Sequence, residues 1–165
     1  MVNLMENLQK TFESLDDSVA RNSVISLELE HGPFFTLQDF DGLKKLVDLI
    51  DAFGLSGAVG LNLDIAHWRM ARIRPEQIIN CERVFENICH SHIAGHCERA
   101  HSGDLPPFGL TPDSHEREQI IPWLKLLEQR AGEQTAIPYS GFVSLEMEAA
   151  NSLLLQEGIS QLSAL

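Results

Sequence analysis

Four side chains in this sequence have the chemistry and the positions of metal ligands. Each lies at or near the end of a predicted strand, just before the following loop: Glu28, Asp64, His92 and Glu146. Ligands of α/β sheets bind at this carboxyl edge. Three carboxylates gathered there would raise one another's pKa values and weaken the fold, whereas a divalent cation removes the repulsion. Oxygen donors with one nitrogen donor suit Mn²⁺, Mg²⁺, Co²⁺ or Zn²⁺, so the sequence predicts one divalent metal ion.

The predicted strands carry these side chains on a polar face. Alternate residues of a strand point to opposite faces, and one face of each strand is apolar, as in Ile25 and Leu27. The opposite face consists of Ser26, Glu28, Glu30, Gly60, Asn62, Asp64, His90, His92, Ser144, Glu146 and Glu148. Helices must cover the apolar face, so we expect the polar face to line the interior of a barrel wall. The alternation leaves open whether Glu28 or Glu30 is the first metal ligand.

Alternating strands and helices supply this arrangement. Periodicity and turn residues predict strands over 23–30, 57–65, 88–93 and 141–147, and helices over 2–15, 36–53, from 75 to about 87, from 114 onward and over 149–164. Residues 94–113, rich in Gly, Pro and His, are predicted to form a long loop. Such alternation indicates right-handed βαβ units and a parallel sheet. We therefore expect residues 1–165 to form a single α/β domain.

Composition limits the classes of partner. The 165 residues include 12 Lys and Arg against 24 Asp and Glu, a net charge of -12, which argues against binding to nucleic acid or anionic lipid. No apolar run is long enough to span a membrane, and the amino terminus lacks the pattern of a secretory signal. The three cysteines form no CxxC pair, as expected of reduced thiols. These features predict a cytoplasmic protein.

Four local patterns extend the analysis beyond composition. They are Leu27-Glu28 with His31 shortly after, Gly60-Leu-Asn-Leu-Asp64-Ile-Ala-His67, His90-Ser-His92-Ile followed by Asp104-Leu-Pro-Pro-Phe-Gly109, and Gly141-Phe-Val-Ser-Leu-Glu146. In this order, across residues 23–148, they resemble the xylose isomerase-like TIM-barrel superfamily, specifically its sugar phosphate isomerases and epimerases.

The resemblance implies a role for each site residue. Glu28, Asp64, His92 and Glu146 would bind one divalent metal ion, and the two glutamates would move a proton at the carbon beside a carbonyl, through an enediolate. The substrate-binding set implied by the resemblance and by the polar face is His67, Arg99 and His90. The expected activity is a metal-dependent isomerase or epimerase acting on a small sugar or sugar phosphate.

The resemblance covers the last four strands of the family barrel, which contain all of its metal ligands. Four strands cannot close such a barrel, so we expect a parallel (βα)₄ half-barrel with an amino-terminal helix, completed by pairing of edges in a homodimer. Two alternatives stay open. One is a truncated homologue that binds metal without turnover. The other is a metal-dependent phosphodiesterase of the related endonuclease branch, which the charge of -12 disfavours because it repels DNA.

Overall fold

The computed structural model describes residues 1–30, 38–97, 102–105, 114–146 and 152–163. The elements in chain order are α1 (Val2–Ser14), α2 (Asp17–Asn22), β1 (Ile25–Glu28), α3 (Phe40–Ala52), β2 (Val59–Asp64), α4 (Ile65–Met70), α5 (Pro75–Ile79), α6 (Glu82–Glu86), β3 (Ile88–Ile93), β4 (Gly95–Cys97), β5 (Ser102–Leu105), α7 (Ser114–Ala131), β6 (Ser144–Leu145) and α8 (Ser152–Leu162).

One sheet of four parallel strands, in the order β1-β2-β3-β6, organises the chain. The prediction of a mixed α/β fold with a parallel sheet is therefore confirmed. Strands β4 and β5 form a separate antiparallel pair. The prediction of a loop over 94–113 is thus wrong for the two stretches that make this hairpin.

The apolar face of the sheet packs against helices, as the alternation predicts. Helix α3 buries Leu43, Leu46, Val47 and Ile50 on one face, at the spacing of an amphipathic helix. Its first turn is capped by Asp39, whose side chain accepts a hydrogen bond from the Gly42 N–H at 2.7 Å. These residues share one core with the apolar side chains of the strands.

Several elements differ from the prediction. A short helix, α4, begins directly after β2. The helix predicted from 75 to about 87 is divided into α5 and α6, because Cys81 has non-helical backbone angles of φ −122° and ψ 79°. The strand predicted over 141–147 contains two residues, Ser144 and Leu145, and residue 147 lies outside the described residues.

A bulge in β3 sets which of its side chains face the polar side. Leu61 pairs with Ile88, but the next residue, Asn62, pairs with His90, so Cys89 is extra in the ladder. Ile88 can therefore join the core, where it is fully buried, while His90 lies beside Asn62 on the opposite face. Gly60 permits this approach, because a Cβ atom there would lie 2.7 Å from Cys89 Sγ.

Packing on the helical side connects the middle of the sheet with its β6 edge. Trp68 of α4 and Trp123 of α7 are buried and meet edge to face, with ring centroids 6.3 Å apart. This contact joins the helix after β2 to the helix before β6. Within the described ranges, no helix has the length and apolarity of a membrane span.

Candidate metal centre

The four side chains that the sequence predicts as metal ligands lie close together in the structure. Glu28, Asp64, His92 and Glu146 each offer one ligand atom, and these atoms all lie within 4.8 Å of one another. We call these residues the candidate centre. Glu28 and Asp64 are the last residues of β1 and β2, and His92 pairs with Asp64 in the neighbouring strand. Glu146 follows β6 and is aligned by a hydrogen bond from its N–H to the carbonyl of Ile93.

The imidazole of His92 lies among the three carboxylates. Its Nδ1 atom contacts Glu146 Oε2 and lies 3.5 Å from Glu28 Oε2 and 3.9 Å from Asp64 Oδ2. One nitrogen atom thus faces oxygen atoms from β1, β2 and the end of β6.

Glu28 is held through both of its carboxylate oxygens. His67 Nδ1 lies 2.9 Å from Oε1, and Asn62 Nδ2 donates a hydrogen bond to Oε2 at 2.7 Å. Burial raises the pKa of Glu28, but the hydrogen bonds from His67 and Asn62 and the nearby imidazoles outweigh burial, so the net pKa is lowered. Glu28 is therefore an ionised and oriented carboxylate at neutral pH.

Asp64 is the buried member of the centre. Its Oδ1 atom caps α4 by accepting the His67 N–H at 2.7 Å, which gives the Asp-x-x-His spacing a structural reason. Its Oδ2 atom is buried and makes no hydrogen bond with any described residue. Burial raises the pKa of Asp64 to about 7, although the hydrogen bond from His67 opposes this increase.

His67 supplies positive charge next to the centre. Its hydrogen bond to Glu28 is the largest cause that raises its pKa to about 9; burial opposes the shift, and Asp64 and Glu30 add to it. Glu28, Glu30 and His67 form a second group with metal-ligand spacing. A protonated imidazole cannot bind a metal ion, so His67 is suited to donating a hydrogen bond to a substrate oxygen.

The other predicted substrate-binding residues have different outcomes. His90 Nε2 lies 3.2 Å from Ser144 Oγ, and its ring meets the His92 ring edge to face at 5.1 Å between centroids. Burial, and then the charge of His92, lower the pKa of His90. Arg99 lies outside the described residues.

The donor set fits a divalent cation. One buried carboxylate oxygen, Asp64 Oδ2, makes no hydrogen bond with the described residues and lies 3.9 Å from His92 Nδ1. Buried polar atoms without partners are uncommon in native proteins and call for an explanation such as a bound ion. Carboxylate oxygens with an imidazole nitrogen are ligands that Mn²⁺, Co²⁺ and Zn²⁺ accept.

Asn62 is a site residue to which the sequence patterns gave no role. It is 3% exposed, it bonds Glu28, and its Nδ2 lies 3.1 Å from His92 Nδ1. The alternation did predict it on the polar face, next to Asp64 in the same strand. This position on the polar face is the feature of the sequence that points to Asn62 as a site residue, although an uncharged amide does not by itself indicate a metal site.

The chain matches no family model, no curated protein and no solved structure. The resemblance to the xylose isomerase-like superfamily therefore stays a prediction from four short patterns. Function has to be inferred from the geometry of the candidate centre.

Proposed function

We propose that this protein is a divalent-metal-dependent isomerase or epimerase of a small sugar or sugar phosphate. The observation that carries the proposal is the convergence of four ligand atoms within 4.8 Å, contributed by β1, β2, β3 and the residue directly after β6. The buried Asp64 Oδ2 atom, which makes no hydrogen bond with the described residues, supports a bound cation. The ion pairs of the centre among the described residues are made with imidazoles, whose charge is smaller than that of the carboxylates combined.

The chain's own residues are suited to proton transfer beside a carbonyl group. A divalent cation would polarise the carbonyl and stabilise negative charge on its oxygen. Glu28 and Glu146 lie at the two outer strands of the sheet, so they flank Asp64 and His92 from opposite sides. One glutamate would take a proton from carbon and the other would return one from the far side. His67, which carries a proton, would orient a substrate hydroxyl or carbonyl oxygen.

Two measurements test this function. Elemental analysis and calorimetry with Mn²⁺ measure metal binding, and NMR in D₂O measures exchange of the C–H beside the carbonyl across a panel of sugars and sugar phosphates. We expect exchange by the Mn²⁺-loaded protein, and a loss of about 100-fold or more in Glu146→Gln. The matched control is Glu133→Gln, an exposed glutamate after α7.

The outcomes separate the alternatives. Metal binding without exchange on any sugar would indicate a half-barrel homologue without turnover. Hydrolysis of a phosphodiester by the metal-loaded protein, without sugar exchange, would indicate the endonuclease branch. Absence of metal binding would overturn the proposed function altogether.

We also propose that two copies complete the barrel, with β1 of one copy alongside β6 of the other. Apart from Ile79, the exposed large apolar side chains of the described residues lie in two segments, one from α1 to the residue before β1 and the other from just before β6 through α8. They are Val2, Leu4, Val19, Val24, Phe142, Leu153, Leu155 and Ile159. These segments flank the two edge strands, whose unpaired backbone groups favour strand addition. A ring of two copies would bury both segments against each other.

Cysteine cross-linking tests this pairing. Val24 and Phe142, 41% and 75% exposed, each precede the glutamate of their edge strand by four residues. Neighbouring strands lie about 4.8 Å apart, which a disulfide can bridge. We expect a cross-linked dimer when Val24→Cys and Phe142→Cys are mixed and oxidised, but not from either variant alone or from the wild type with its native cysteines. Cross-linking of Val24→Cys with itself, or a monomer by light scattering, would contradict the proposed ring.

A further inference from the structure

Asn62 lies where the candidate centre is assembled. It belongs to the inner strand β2, and its register partners are Glu28 in β1 and His90 in β3. Its Nδ2 group donates to Glu28 Oε2 at 2.7 Å and lies 3.1 Å from His92 Nδ1. A single amide therefore touches candidate ligands from two different strands.

The amide complements His67 in orienting Glu28. His67 bonds Oε1, so Asn62 supplies the hydrogen bond that fixes the rotation of the carboxylate about its last side-chain bond. Glu146 has no equivalent clamp among the described residues; its described side-chain contact is with His92. The carboxylate of Glu28 is therefore fixed by more hydrogen bonds than that of Glu146, and Asn62 supplies one of them.

The carbonyl oxygen of the Asn62 amide makes an unfavourable contribution to the free energy of folding. Its Oδ1 atom is buried and has no hydrogen-bond partner among the described residues, which is unfavourable for folding. A leucine has nearly the same shape and would bury no polar atom. A residue chosen for packing alone would therefore be apolar at this fully enclosed position.

We infer that Asn62 is a positioning residue of the metal centre: its Nδ2 group holds the Glu28 carboxylate in its ligand orientation before a cation binds. The inference rests on the proposed metal binding and extends it to a residue outside the ligand set. Hydrogen-bonding partners of ligands set ligand orientation, and their loss reduces metal affinity by about 10- to 100-fold.

Calorimetric titration of the full chain with Mn²⁺, after removal of bound metal by a chelator, tests the inference. In Asn62→Leu we expect the dissociation constant to rise about 10- to 100-fold, while the urea midpoint of the metal-free protein stays equal or increases. Asn62→Ala provides a second variant if leucine prevents folding, as judged by circular dichroism. Asn80→Leu, at an exposed position after α5, is the matched control and should keep wild-type affinity.

Each result has a distinct meaning. Wild-type affinity in folded Asn62→Leu or Asn62→Ala would overturn the positioning role and leave the proposed function intact. In Asn62→Leu, a midpoint that falls in parallel with affinity would show a purely structural role and would also overturn it. A wild-type protein that binds no Mn²⁺ would overturn the proposed function together with the inference.

Discussion

The two sides of the candidate centre differ in how firmly they hold their carboxylates. On the β1–β2 side, formed by Glu28, Asn62, Asp64 and His67, the Glu28 side chain is 22% exposed and bonded at both oxygens, and Asp64 is fully buried. On the β6 side, Glu146 is 41% exposed and follows a strand of two residues. Its carboxylate contacts His92.

This difference indicates a division of roles. On the β1–β2 side, Glu28 and Asp64 offer ligand atoms within 4.8 Å of each other, and hydrogen bonds fix the orientation of both carboxylates. Glu146 lies at a sheet edge, where a carboxylate reorients at low energetic cost and a second copy of the chain would cover it. The β1–β2 side is therefore expected to govern stability and metal affinity, and the β6 side to govern access.

Asp64→Asn provides the largest test of the β1–β2 side. The pKa of Asp64 is raised from 3.8 to about 7, so the folded protein favours the neutral acid. The free energy of unfolding therefore falls as the pH rises from 3.8 to 7, because the buried carboxyl group must ionise. Without metal at pH 8, Asp64→Asn should increase the free energy of unfolding by up to about 4 kcal/mol. Urea unfolding with a chelator measures this gain.

The same gain should shrink as the pH falls from 7 toward 3.8, and Mn²⁺ should no longer stabilise the variant. Asp16→Asn, at an exposed carboxylate before α2, should show no such pH dependence. An equal gain at all pH values would mean that ionisation of Asp64 is not its source.

The strand-end ligands could be predicted from the sequence because of a simple geometric rule. Parallel strands end at one edge, so polar residues at the ends of β1, β2 and β3 meet without any detailed knowledge of packing. The alternation of Leu61, Asn62, Leu63 and Asp64 was enough to assign opposite faces in β2. These features depend on local pattern and on strand direction alone.

Other features depend on contacts that no local pattern encodes. The alternation of β3 would put Ile88 on the same face as His90, and the bulge at Cys89, which Gly60 permits, reverses this. The role of Asn62 arises from side chains 34 and 30 residues away. The apolar pattern over 141–147 predicts a longer strand than β6. The strand contains two residues because Ser144 and Leu145 are the described residues of this segment that pair with β3.

Neutralising each glutamate compares the two sides directly. In the metal-free protein at pH 6, Glu28→Gln should lower the free energy of unfolding by about 2 kcal/mol, because it removes the charge partner of a protonated, largely buried His67. Glu146→Gln should lower it by less than about 1 kcal/mol, since the Glu146 side chain as a whole is 41% exposed. Urea unfolding of both variants measures the difference. Equal losses would contradict the contrast between the two sides.

The smallest effect concerns two serines beside the centre. Ser91 Oγ donates to the carbonyl of Leu63 at 3.0 Å and is fully buried, whereas Ser144 Oγ pairs with His90 at 3.2 Å on the exposed edge strand. Ser91→Ala leaves a buried carbonyl without this donor and should cost about 1 kcal/mol or more, while Ser144→Ala should cost about 0.5 kcal/mol or less because water replaces the lost partner. Thermal unfolding of the two metal-free variants measures both values. A larger loss in Ser144→Ala would mean that the β6 edge is packed at least as firmly as the contact between β3 and β2, and the division of roles between the two sides would then be wrong.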